Sequence, residues 1–333
     1  MNPTKPPVTS LLNAKEHFKD LLVGAGRFVR ADYWAIAMYR GPSPLALGPA
    51  DGVQLPVLGA RDVTDVDAEF VADPFMVVAD GGWHLFFEVM NRSTGLGEIA
   101  MAASPDATTW TYGQVVLAES HHLSYPQVFA WDGEHWMVPE TSAERCVMLY
   151  RAAEYPTRWE RAGVLLSGLP FNDATLFRHD ERWWMLTETA EDVRSDTLRL
   201  YSTADVRRGW VEHPASPVVA GDATIARPAG RVVRHEGRLV RFAQDCATDY
   251  GKRVSAFEIV DLTPSTYRER PLGVVLEPSA VGWNDHGMHH VDAHRTGAGE
   301  WLACVDGRPA PGLRRSAAAR IPTRQRPRPA HRR

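Results

Sequence analysis

A chain of 333 residues, 44% hydrophobic and 23% charged, has the make-up of a globular protein with room for one large domain or two ordinary ones. No run of 18 apolar residues is present and the start, MNPTKPPVTSLLNAKEHFKD, lacks the apolar core of a secretory signal, which argues against a membrane span and predicts a non-exported, cytoplasmic protein. Three cysteines without CxxC spacing argue against a disulfide framework or a zinc site, and the formal charge of −4 hides an acidic body, because nine arginines and no acid lie from Arg308 onward; nucleic acid is not an expected partner.

In chain order, residues 9–24, TSLLNAKEHFKDLLVG, place apolar residues at helical spacing between a Thr9 or Ser10 cap and Gly24, predicting one short helix within a leading segment 1–30. YWAIAMYRGPSP at 33–44 reads as a strand. From residue 72 a repeat begins: ADPFMVVADGGWHLFFEV returns as SYPQVFAWDGEHWMVPETS at 124, NDATLFRHDERWWMLTETA at 172, RPAGRVVRHEGRLVRFAQD at 227 and GMHHVDAHRTGAGEWLACVDG at 287. In the first four copies the turn residues Asp80, Asp132, Asp180 and Glu236 are spaced by 52, 48 and 56. Each copy reads as a hairpin with a tight turn, followed by two more strands that bring an aromatic residue (Trp110, Trp159, Trp210, Tyr267) about thirty residues after the turn. Four strands at this period predict a β-propeller blade. The last copy stops after its hairpin, but 33–44 resembles EIAMAASPDA at 98, so the N-terminal strand is expected to close blade five and remove an exposed edge. The prediction is an all-β, five-bladed propeller over 31–306 and a disordered Pro/Arg-rich tail over 307–333; a β-sandwich is the rival, and it leaves the repeat unexplained.

In a hairpin, the start of the first strand lies beside the end of the second. Five residues after the position of Trp83 in each second strand (Trp83, His135, Trp183, Leu239 and Trp301) stand Glu88, Glu140, Glu188, Gln244 and Asp306, and opposite them Asp73, Tyr125, Asp173, Pro228 or Ala229, and about His289. All are expected to face one mouth of the central channel. Acids at strand ends can simply cap turns or pair with arginines, but Asp is depleted in strands, so Asp73 and Asp173 need partners or a task. Crowded carboxylates raise one another's pKa, as an acid/base pair acting on a glycosidic bond requires. Asp73, Asp173, Glu188 and Glu140 are the candidate catalytic groups. Glu88, Tyr125, Gln127, Arg227, Gln244, Asp245, His289 and His290 are candidates for substrate binding. The run NDHGMHHVDAH leaves two readings, hydrogen-bonded histidines or a divalent ion near His290, and no cofactor is otherwise expected. Arg227, Arg231, Gln244, Asp245, Tyr250 and Lys252 suit anionic or hydroxyl groups, or form a surface ion-pair set. There is no GxSxG context for a serine nucleophile, and GAGRFV follows the predicted helix, which argues against a dinucleotide site.

ADPF, LSYPQVF, DATLF, RPAGR, AQDC and HHVD together resemble the bacterial relatives of the N-terminal domain of plant glucosamine inositolphosphorylceramide transferase, over residues 30 to 306. That resemblance implies a five-bladed propeller similar to family 43 glycoside hydrolases and a carbohydrate context. It implies a general-base role for Asp73. It also places Gln127 where family 43 has an orienting Asp, and Asp173 where family 43 has an acid Glu. Two functions follow as expectations. One is action on a glycan or glycoconjugate, glycosidase-like or associated with glycosyl transfer. The other is a non-catalytic propeller that binds sugar or supports a glycosyltransferase or other sugar-modifying partner.

Overall fold

The computed structural model describes residues 28–30, 34–192, 194–310 and 313–315. Phe28–Arg30 and Leu313–Arg315 form an antiparallel pair in a unit of their own. Residues 34–310 form five antiparallel sheets of four or five strands, the blades of a propeller. From the inside outward, blade one is Ala68–Ala79, Gly82–Asn91, Leu96–Ser104 and Thr111–Leu117, and blade two is Ser124–Trp131, Glu134–Glu140, Cys146–Glu154 and Arg158–Ser167. Blade three is Asn172–His179, Arg182–Glu188, Thr197–Thr203 and Val211–Glu212, with Val219–Ala220 also paired to its third strand. Blade four has a broken inner strand, Arg227–Pro228 and Val233–His235, followed by Arg238–Gln244, Val254–Leu262 and Tyr267–Leu276.

Blade five is completed from both ends of the domain, as expected: Val291–Arg295 and Trp301–Gly307 form its inner half, and Ala35–Ser43 and Ala46–Pro49 form its outer half. Ala35 pairs with Gly307 and Gly41 with Trp301, so the seam is a full antiparallel ladder. The fold runs past the expected limit of 306, because Arg308 is buried, bridges to Gly287 and donates to Asp249 at 2.8 Å. The helix expected over 9–24, and the expected tail apart from 307–310 and 313–315, lie outside the described residues.

Alternating apolar residues give each hairpin two buried faces, and the buried side chains gather into five clusters, one between each pair of neighbouring blades. Most tryptophans join them: Trp83 and Trp110 between blades five and one, Trp159 between one and two, Trp136 and Trp183 between two and three, Trp184 between three and four, and Trp301 between four and five. Turn chemistry sets the hairpin register. In blades one to four the two loop residues both have positive φ, at Asp80 and Gly81 (52° and 78°), Asp132 and Gly133 (55° and 76°), Asp180 and Glu181 (47° and 61°), and Glu236 and Gly237 (49° and 79°). That is the type I′ geometry matching the twist of paired strands, and Asp and Gly tolerate it best.

Candidate active site

The opposite end of these hairpins carries a second departure from regular strand geometry. In blades one, two and three the inner strand takes one extra residue against its partner, between Ala72 and Phe75, Ser124 and Gln127, and Asn172 and Thr175. The bulged residues Asp73, Tyr125 and Asp173 all sit in the left-handed region, with φ of 52°, 47° and 51°. Residues other than glycine are uncommon there and each carries on the order of 1–3 kcal/mol of strain, the kind of cost found at binding and catalytic positions. The bulge turns three successive side chains toward the channel mouth.

Neighbouring blades hold the bulges in place. The Asp306 carboxylate of blade five accepts the Asp73 N–H at 3.0 Å and those of His289 and His290 at 3.2 and 3.0 Å. Asp73 in turn accepts the Tyr125 N–H at 3.3 Å, and Glu140 of blade two accepts the Asp173 N–H at 3.2 Å. Each carboxylate therefore fixes the backbone of the next blade. Arg227 reaches across from blade four, with Nε 2.6 Å from Asp173 Oδ2 and Nη2 3.2 Å from Glu140. Gln244 donates to Asp173 at 2.9 Å and to the Pro228 carbonyl at 2.9 Å. His289 bonds Asp306 at 2.7 Å through Nδ1, and its Nε2 lies 3.6 Å from Asp73.

This crowding sets the protonation of the mouth. Burial raises Asp73 to about 7, opposed by His289 and reinforced by Asp173 and Asp306. Burial also raises Asp173 to about 7, although Arg227 opposes the shift. Glu88 is pushed well above the carboxylate range by burial and by Asp73, Glu140, Asp173 and Asp306; its Oε1 lies 3.4 Å from His122 without a hydrogen bond. Burial alone would lower His289, but Asp306 outweighs it and the imidazole is raised, while Asp306 itself is lowered by His289 against the effect of burial. His290 is driven down to about 4 by burial, and both of its ring nitrogens are buried without hydrogen bonds.

The structure therefore brings together Asp73, Asp173, Glu140, Arg227, Gln244, His289, His290 and Asp306, with Glu88 close by. Three expected site residues are placed differently. Glu188 accepts the N–H groups of Ala190 and Thr197 on Oε1 and Asn172 Nδ2 on Oε2, so both oxygens are engaged within its own blade, and burial raises its carboxyl against these bonds. Asp245 is occupied by Arg253 at 3.1 Å and the Ala247 N–H at 3.1 Å. Gln127 grips the N–H and C=O of Leu176 at 2.7 and 2.8 Å, two residues beyond Tyr125, which stands at the blade-two bulge. The Tyr125 hydroxyl lies 2.7 Å from Thr175 Oγ1 and accepts the Gly230 N–H at 2.6 Å. Gly230 is required there, since a Cβ would stand 1.9 Å from the Val291 carbonyl.

Two rim residues outside the repeat register complete the mouth. Trp34 stacks on His289 with ring centres 3.9 Å apart, and the exposed Tyr250 ring lies over Arg227 at 5.2 Å. Below the mouth, Phe75, Tyr125 and His290 pack edge to face, at 4.9, 4.6 and 5.2 Å between ring centres, and plug the channel. Ligand atoms of Asp73, His289 and Asp306 lie within 4.8 Å of one another, so these three, with His290 beside them, are the residues that could hold a cation. The histidine of that group is His289, and His290, near which a divalent ion was one expectation, lies next to it with Nδ1 3.8 Å from Asp73.

Residues 30–308 match the family described as glucosamine inositolphosphorylceramide transferase 1, N-terminal. Glucosamine inositolphosphorylceramide transferase 1 of Oryza sativa subsp. japonica is 35% identical over 296 residues, covering 82% of this chain and 40% of the relative. The protein of the same name from Arabidopsis thaliana is 32% identical, covering 82% and 39%. The chain thus spans about two fifths of the length of these curated relatives; they are plant proteins and give the expected bacterial source no support. Among solved structures, β-1,2-mannobiose phosphorylase from Listeria innocua superposes with a TM-score of 0.57 at 13% identity, covering 81% of this chain and 96% of that one. Zg3597, a family 117 glycoside hydrolase from Zobellia galactanivorans, gives 0.51 at 13% identity, covering 84% and 91%. These likenesses establish the fold. The extent and identity of the sequence match make this chain a member of the glucosamine inositolphosphorylceramide transferase 1 N-terminal family.

Proposed function

We propose that the propeller acts on a glycan or glycoconjugate at its acidic mouth, with Asp73 as the group that exchanges a proton with substrate. One observation carries this reading: Asp73 and Asp173 occupy equivalent strained bulges at one mouth and are both buried, and that burial raises each carboxyl to about 7. A carboxyl poised near 7 is suited to general acid/base work at neutral pH. The two groups are not alike. Asp173 is clamped by Arg227 and Gln244, which suits it to hold charge and sugar hydroxyls, whereas among the described residues Asp73 has no arginine within ion-pair distance. Burial and its acidic neighbours push the Glu88 carboxyl well above the usual carboxylate range, and Glu140 and Glu188 are positioning residues. The exposed Tyr250 ring offers an aromatic face for a sugar ring, whereas Trp34 is buried between His289 and the Arg308 guanidinium and backs the mouth. The names of the plant relatives support a glycosyl-transfer context, and a cytoplasmic setting suits the three free cysteines.

A second reading, a sugar-binding propeller without turnover that assists a glycosyl-modifying partner, draws on Tyr125. Its hydroxyl is turned into bonds with Thr175 and Gly230, so the blade-two bulge presents no carboxylate beside those of Asp73 and Asp173. A glycan and nucleotide-sugar binding screen followed by turnover assays of Asp73→Asn and Asp173→Asn separates the two. Loss of turnover with retained binding in Asp73→Asn supports catalysis, binding without any turnover in the parent protein supports the second reading, and absence of any sugar ligand rejects both.

A further inference from the structure

The turn end of the channel, opposite the acidic mouth, contains a cavity of about 250 Å³ lined by Arg178, Arg231 and Arg234 together with Phe129, Phe177 and Trp183. Its position follows from the hairpins. Arg178 pairs with Trp183 and Arg234 with Leu239, directly beside the turns of blades three and four, and Phe129 stands three residues before the turn of blade two. The aromatic plug lies between the cavity and the carboxylates, and Arg231 is packed against its far side, 5.6 Å from the Phe75 ring.

We propose that this cavity is a second binding site, for the phosphate group of a phosphate ester. The charge balance points that way. Arg231 is tied to the buried Asp292 at 2.9 Å and to the Val128 carbonyl at 3.1 Å, so one of the three guanidinium groups is neutralised within the fold. Among the described residues, neither Arg178 nor Arg234 has a carboxylate within ion-pair distance. The Arg178 guanidinium lies over the Trp131 ring at 4.4 Å and 5.9 Å from that of Trp183, cation–π contacts that steady it without neutralising its charge. Arg234 is steadied by the Gly237 carbonyl at 3.1 Å and by His179 at 3.2 Å. Two uncompensated, pre-oriented guanidinium forks around one concave site match a tetrahedral oxyanion, and arginine is the residue best suited to it. Phe129, Phe177 and Trp183 form a wall for the esterified group. The site is independent of the acidic mouth and of any sugar chemistry there.

The test is a titration of the full chain, followed by tryptophan fluorescence and calorimetry, with inorganic phosphate and with phenyl phosphate at constant ionic strength. Cosedimentation with phosphatidylcholine vesicles, with and without phosphatidic acid, is the lipid arm. Saturable binding is expected, tighter for phenyl phosphate than for phosphate. Arg178→Ala and Arg234→Ala, both exposed and so compatible with a wild-type circular dichroism spectrum, should each weaken it about tenfold or more, the worth of one charge-assisted bond. Asp73→Asn should leave it unchanged. Binding of phenyl phosphate without vesicle binding assigns a soluble ester, and vesicle binding that needs phosphatidic acid and both arginines assigns a lipid headgroup. The proposal is overturned if no probe binds, or if binding survives intact in the Arg178→Ala/Arg234→Ala double variant, or if chloride competes as well as phosphate.

Discussion

Replacing Asp306 by Asn tests the inter-blade carboxylate logic most directly. Four donors converge on this buried side chain: the Asp73 N–H on Oδ2, and the His289 N–H, the His290 N–H and His289 Nδ1 on Oδ1. An amide that keeps its oxygen at the Oδ1 position turns its NH₂ against the Asp73 N–H; the flipped amide fails three donors instead of one. One buried orphan N–H costs about 1–3 kcal/mol and loss of the charge-assisted bond to His289 about 1.5–3 kcal/mol. Together these give about 3–5 kcal/mol, or a fall in Tm of about 6–10 °C for a domain of this size. The effect has a pH signature. Wild-type Asp306 is lowered, so its contribution is present above the ordinary Asp pKa and lost as pH falls through the lowered value. His289 is raised, so its share is complete below the ordinary His pKa and is lost as pH rises through the raised value. The gap between wild type and Asp306→Asn is therefore widest between about pH 4 and 6.5 and narrows in alkali. Differential scanning calorimetry across pH, with histidine NMR to follow His289, measures it. A Tm unchanged to within about 1 °C at pH 6 would refute the claim that Asp306 holds the blade-one bulge.

Asp73→Asn should stabilise the protein at pH 8 and leave it unchanged near pH 4, because ionising a carboxyl whose folded pKa is raised to about 7 costs stability as pH climbs from about 4 to 7; equal Tm differences at both pH values would contradict the shift. Tyr125→Phe removes the acceptor of the Gly230 N–H and the partner of Thr175, and should lower stability by about 1–3 kcal/mol, read from the urea midpoint at constant m-value. Removing residues 1–50 strips blade five of its two outer strands and exposes the inner hairpin edge, so that variant should be insoluble or molten by near-UV circular dichroism; a cooperative native transition would disprove the seam's importance.

The propeller was legible because its signals are local and repeated. Alternating apolar strands, Asp-Gly turns and a period near fifty residues fix the hairpins without long-range information, and the likeness of 33–44 to 98–107 exposes the closing strands. Asp73 and Asp173 were legible for the same reason, as acids at one register. The bulges were not, because an extra residue in one strand shows only against its partner. Glu88, Glu140, Glu188 and Asp306 share a register yet hold different partners, since each faces a different neighbouring blade. Trp34 enters the mouth from outside the repeat, so no periodicity could have found it, and Tyr250 was legible only as part of the polar cluster with Arg227. Of the arginine cavity only Arg231 was singled out, as one residue of a cluster suited to anions, because Arg178 and Arg234 lie in different copies and only the ring brings them together.

The pairing of Ala35 with Gly307 places the two ends of the propeller side by side on one sheet. Entry and exit through a single seam make the ring a self-contained cassette. A host protein could carry it as an insertion within one of its loops, because the gap the host must bridge is no wider than two adjacent strands. A circular permutant that joins 35 to 307 and opens at an outer turn of another blade would keep every blade intact. Tethers leaving from either end would share one anchor point, so two attached modules would meet each other more often than either would reach the far side of the ring.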